Sequence, residues 1–284
     1  MQQTAPDTCA AWPASSQGVY LYCFVRRTVA GRIKTTGVED HTEVASLAVG
    51  DIAAVFSMVS LGAFTGPSGD ANLSDVSWIV PRARRHERVV EEVMQLSPVL
   101  PARFGTVFSS TAVLERLLAK NADKIGQFLE QMAGREEWSV KTFLDVPKAE
   151  AWLRTSQAAF DGLLRPGILS PGLRYIRDKQ ACVHARRRLE DWTRRTAEEV
   201  ERLLATHAVD VRPLRPQPTG TTGNAGKLLL NSALLVLKDR AAELHERARE
   251  IEVQYADQGL SLSVSGPWPP YSFCPSVLDV EPCE

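Results

Sequence analysis

His86 and Glu87 begin the zinc-protease pattern HExxH, but the second histidine, due four residues after the first, is Val90. One imidazole beside one carboxylate gives no pair of ligands on a single helical face. His86 therefore reads as a partly buried histidine where a helix meets a sheet. A second candidate is the run Gly220 to Lys227 (GTTGNAGK), which resembles a phosphate-binding loop. Thr221 stands where that pattern needs its first glycine, and Leu228 replaces the magnesium-binding hydroxyl. The run also leads into a strand-like segment, so no helix N-terminus faces a phosphate, and a hairpin connection is expected. Cys182 and His184 sit two residues apart on a helix, where their side chains diverge rather than meet as nucleophile and base. No GxSxG elbow is present. No catalytic residue, metal site or cofactor is expected.

Two features point to binding instead. Arg174, Arg177, Lys179, Arg186, Arg187, Arg188, Arg194 and Arg195 crowd residues 174–195, against Asp178, Glu190 and Asp191. On a ferredoxin-like domain such a helix raises the alternative of a nucleic-acid-binding module. That class reads bases with exposed aromatics on its central strands, however, and the segment from Lys227 to Leu237 is aliphatic. A solvated face or a dock for an acidic protein is the expectation. The second feature is a pair of proline-stiffened aromatic segments, VLPARFGTVF (99–108) and GPWPPYSF (266–273). Prolines fix an extended path while aromatics supply large apolar area. Arg103, Phe104, Phe108, Trp268, Tyr271 and Phe273 are the candidate partner-binding residues, with a tail folded back over its own domain as the competing reading.

The elements that must position these residues follow from local pattern. Strands are expected at 18–27, 51–60, 99–108, 137–145, 209–214, 227–237 and 260–264. A loop is expected between the first two strands, and another from Gly62 to Asp75. A helix starts near Ser77, with Pro81 in its first turns and His86, Val90, Val93 and Ser97 at helical spacing. Two short helices are expected at 111–120 and 122–132. A long helix runs from about Arg177 to His207, burying Ala181, Ala185, Leu189, Trp192, Thr196, Val200, Leu203 and His207 along one face. A last helix carries Leu244, Ala248, Ile251 and Tyr255. The second half thus reads β-α-β-β-α-β, the ferredoxin-like order. The fold class is α+β in two domains: an irregular N-terminal domain (18–135) and a ferredoxin-like C-terminal domain (136–274), flanked by a disordered extension (1–17) and a tail (275–284).

Composition agrees with a two-core protein. At 284 residues the chain is near the size where one core divides. The net charge of −1 gives no overall field toward nucleic acid or an anionic membrane. No apolar run approaches the ~18 residues of a membrane helix. The first 18 residues lack the basic and apolar regions of a signal peptide. Five cysteines, an odd number without CxxC spacing, read as free thiols in a reducing cytoplasm.

Taken in order, GVYLYCFV, DIAAVFSMV, ARRHERVVEEVMQLSPVLPARFGTVF, EEWSVKTFLD and GPWPPYSF resemble the gas vesicle protein GvpF/GvpL family, over about residues 18–275. The resemblance implies a two-domain α+β protein whose C-terminal domain is a modified ferredoxin-like fold. It implies a minor component of gas vesicles, cytoplasmic and vesicle-associated, that binds the shell protein or other accessory vesicle proteins during nucleation and assembly. It brings no catalytic residues, and no nucleic-acid, membrane or small-molecule partner.

Overall fold

A computed structural model describes residues 17–161, 171–215 and 226–276. The expectations for residues 1–16, for the Pro/Gly interval before residue 171, for the 216–225 loop and for the tail beyond residue 276 fall outside it. So do the side chains of Arg174, Arg177, Lys179, Ala181 and Cys182. The described chain forms two compact units, residues 17–135 with 269–276 and residues 136–268.

The first unit is built on β1 (Gln17–Arg26), followed by α1 (Arg27–Ala30), β2 (Ala45–Val49), β3 (Ile52–Ser60), α2 (Gly66–Ser74), α3 (Val76–Met94), β4 (Leu100–Pro101), β5 (Val107–Phe108) and α4 (Thr111–Met132). Its sheet runs β2-β3-β1-β4, with β5 also paired to β1. Every residue of β1 from Val19 to Val25 is fully buried, which is why the segment reads as a continuous apolar run rather than an alternation. Between Leu21 and Cys23 the register against β3 slips by one residue. This bulge lets Cys23 and Val25 join Tyr20 and Tyr22 in one core with Val89, Val90 and Val93 of α3. On α4, Leu114, Leu118, Ile125, Phe128, Leu129 and Met132 are buried.

Five expectations are corrected in this unit. The 99–108 run is not one strand but β4 and β5, with a turn at Phe104 and Gly105 between them. The stretch between the first two strands contains β2, which turns into β3 through Gly50 and Asp51 alone, with Val49 opposite Ile52. Gly50 takes φ 57°, a left-handed conformation that suits glycine in a two-residue hairpin turn. The 62–75 stretch holds α2, hidden by its glycines and low amphipathy. The 111–132 region is one helix: the Asn121 side chain donates to the Leu117 carbonyl at 2.9 Å, so a polar residue expected to break the run is absorbed by it. Asp75 caps α3 by accepting from the Ser77 N–H at 2.8 Å, which places Pro81 beyond the first turn, where it removes the N–H that would bond the Ser77 carbonyl.

The second unit contains β6 (Arg135–Leu144), α5 (Val146–Asp161), α6 (Pro171–Ala205), β7 (Asp210–Pro213), β8 (Lys227–Leu237), α7 (Ala241–Tyr255) and β9 (Leu260–Trp268). Sheet order β7-β8-β6-β9 is that of the split βαβ motif. The modification is a second helix, α5, in the first crossover. Val140, Leu144, Val200, Leu204, Leu234, Val236, Leu244, Ile251 and Leu260 form an aliphatic core. Among the described side chains of α6, the packed face begins at Leu189, whereas Ala185, expected inside, is exposed. No helix among the described residues is long and apolar enough to cross a membrane.

The strand-and-proline run at the end is divided between the units. β9 continues to Trp268, which pairs with Glu137 of β6. Gly266 is required there, because a Cβ would stand 2.9 Å from the Glu137 carbonyl oxygen and its φ is 142°. Residues from Pro269 onward belong to the first unit rather than extending the second to 274, because their side chains and backbone bond to α3, α4 and β4.

Candidate functional site

His86 lies on the buried face of α3 with no solvent exposure. Its Nε2 is 3.1 Å from the Ala102 carbonyl oxygen. A carbonyl can only accept, so Nε2 carries the proton and Nδ1 accepts from the Tyr20 hydroxyl, 3.0 Å away. That hydroxyl in turn accepts from the Gly105 N–H at 3.1 Å, which fixes the turn between β4 and β5. The Tyr271 hydroxyl sits 3.2 Å from the same Nε2 and donates to Glu87 Oε1 at 3.0 Å. Beside this chain, the Tyr22 hydroxyl is 2.7 Å from Ser57 Oγ and accepts from the Val38 N–H.

Burial sets the charge states. It pushes His86 down to about 4, against a smaller opposing effect of the Ala102 carbonyl. It pushes Tyr20 and Tyr271 far up and Tyr22 up to about 12. Glu87 is raised as well, by burial first, with the Tyr271 hydrogen bond opposing. At neutral pH the imidazole and the phenols are therefore uncharged, and the Ala102 carbonyl sets the direction of the hydrogen bonds from His86 to Tyr20. Both imidazole nitrogens are taken by protein partners, so neither is open to a metal or a substrate proton. Among the described residues no three His, Cys, Asp or Glu side chains gather as a metal site.

The expected partner-binding residues divide around this network. Phe104 is half-buried, edge-on to Tyr20 and His86 at centroid distances of 6.2 and 6.1 Å. Tyr271 reaches the same histidine. Phe108 and Phe273 are buried in the first unit. Arg103 points outward from a turn held by Thr106, whose hydroxyl donates to the Arg103 carbonyl at 2.7 Å. Trp268 belongs to the second unit, is 42% exposed, and donates through Nε1 to Ser265 Oγ at 3.3 Å. Of the six, only Arg103 and Trp268 are exposed. Tyr20 escaped the sequence reading because its partner His86 is 66 residues away, and the role of Tyr271 because Glu87 is 184 away. The isolated His-Glu pair was the one signal that pointed there.

On the basic helix, Arg186 pairs with Glu190 at 3.1 Å and Arg194 with Asp191 at 3.2 Å. Lys227 opens β8, a strand, not a helix. Neither arrangement favours a nucleic-acid or phosphate site.

This fold recurs in solved structures. The crystal structure of the gas vesicle protein GvpF from Anabaena matches it with a TM-score of 0.64, covering 92% of this chain and 97% of that one at 20% identity. The molecule is thus an α+β protein with the GvpF fold. Gas vesicle protein L of a Streptomyces species is 31% identical over 231 residues, 79% of this chain and 80% of that protein. Gas vesicle protein L2 of Halobacterium salinarum is 27% identical over 278 residues, 94% and 95% of the two chains. The family model for gas vesicle synthesis protein GvpL/GvpF matches residues 18–275, and the chain belongs to that family.

Proposed function

We propose that the protein is a cytoplasmic accessory factor that holds the gas vesicle shell protein, or another vesicle protein, during nucleation and assembly of the vesicle. The observation that carries this reading is the family match across 18–275, which takes in both units and the closing aromatic segment. A shell that keeps water out of a gas space needs apolar subunits, and free copies of such subunits aggregate. A protein that covers that surface stabilises the soluble pool by mass action.

Burial narrows the contact residues. Phe108 and Phe273 are enclosed and Tyr271 is tied to Glu87, which favours a supporting role for these three in this reading. Trp268 on the second unit and Arg103 beside Phe104 on the first are the contacts proposed, each acting from its own unit. The test is pull-down of co-expressed shell protein. Trp268→Ala is expected to weaken retention about tenfold or more, the loss of an exposed aromatic anchor, without lowering the melting temperature. Unchanged retention in a folded variant sinks the Trp268 contact.

A further inference from the structure

The outer face of α3 carries exposed apolar side chains beside exposed arginines. Val76 is 70% exposed, and Val80, one turn on, is 39% exposed; Leu73, at the end of α2, matches it. The same i,i+4 row continues through Arg84 and Arg88, both exposed. The arginines of this helix fall into two groups. Arg82 forks onto both Glu39 carboxylate oxygens at 3.1 Å and covers the Trp78 ring at 4.2 Å. Arg85 binds Asp40 at 2.7 Å and the Val38 carbonyl at 3.0 Å. These two tie α3 to the 38–40 loop. Arg84 and Arg88 have no ion-pair partner among the described residues. Exposed Glu91 and Glu92 close the row.

We propose that this face docks an amphipathic helix of a partner protein, apolar where it meets Val76 and Val80 and acidic where it meets Arg84 and Arg88. The row from Val76 to Arg88 spans about 18 Å at 1.5 Å per residue, so about three turns of partner suffice. The Asp75 cap holds the start of α3 in helical form, so the apolar end is already ordered for binding. An acidic membrane surface fits less well, because Glu91 and Glu92 lie at the basic end and the apolar area is small. The proposal rests on the exposed side of α3 and not on the role of the aromatic segments.

The probe is a synthetic helical peptide of about 14 residues, with leucines at i and i+4 and glutamates on the next two turns, and a twin carrying lysines for the glutamates. Fluorescence anisotropy with the full chain is expected to show the glutamate peptide at least tenfold tighter. The preference reverses in Arg84→Glu/Arg88→Glu, and Val76→Ser/Val80→Ser weakens the glutamate peptide at least tenfold. Because all four positions are exposed, the melting temperatures of the variants stay near that of the wild type. Equal binding of the two peptides, no binding of either, undiminished binding by the serine variant, or preferential sedimentation with phosphatidylserine vesicles through the same valines overturns the proposal.

Discussion

The two units solve the interior differently. In the first, Tyr20, Tyr22, Ser57 and His86 sit among valines and are joined by hydrogen bonds that leave each polar atom named above with a partner. In the second, the core is largely aliphatic around Trp138, and two of its buried polar atoms, Trp138 Nε1 and Thr142 Oγ1, have no hydrogen-bond partner. A partnered polar core specifies one arrangement of its segments, because any other leaves donors or acceptors unmet at about 1–3 kcal/mol each. An aliphatic core tolerates repacking. The first unit also takes its last residues from the far end of the chain, so its completion waits on the whole sequence.

Ending the chain after Trp268 is the strongest way to break this contrast. It removes buried Phe273 and the Tyr271 hydroxyl from the first unit alone, an expected loss of about 3–5 kcal/mol. Amide hydrogen exchange should show β1 losing protection while β8 keeps it; equal losses in both would contradict the division. Acidification comes next. His86 falls from 6.5 to about 4 on folding, so between those values the unfolded chain binds a proton that the folded one refuses. Its contribution is complete above pH 6.5 and shrinks as pH falls toward 4, by about 3 kcal/mol at most. Glu87, whose carboxyl is raised, acts in the opposite sense and trims that loss. Urea unfolding at pH 7 and 4.5 should thus weaken the first unit selectively, and a His86→Gln variant should lose part of that pH dependence.

Tyr20→Phe gives a smaller effect. It leaves the Gly105 N–H and His86 Nδ1 without their hydroxyl, at about 1–3 kcal/mol, read as a lowered urea midpoint. Thr142→Val in the second unit is the counterpart with the least effect. The hydroxyl it removes has no partner, so stability should hold or rise by up to about 1 kcal/mol. A loss comparable to that of Tyr20→Phe would mean that the second core also depends on hydrogen bonding.

Local pattern revealed much of the fold. β1, β3, β6, β8 and α7 follow from apolar runs and helical spacing, and the order of the second unit follows from their sequence. What escaped was structure with little apolar signal: α2 begins on Gly66 and Pro67, and β2 is mostly exposed. The Gly50–Asp51 turn was readable as a hairpin signal and would have recovered β2. The aromatic segments were legible as unusual, but their division between exposed and buried was not. Whether Tyr271 faces a partner or Glu87 depends on a residue 184 positions away, and no local spacing carries that information.

Whether this protein holds the shell subunit is decided by the fraction of gas vesicle shell protein that stays soluble when it is produced alone or together with this chain. A clear rise in soluble shell protein is expected, with the two co-purifying. No rise and no co-purification, with this chain folded and abundant, would contradict a role in holding the shell subunit.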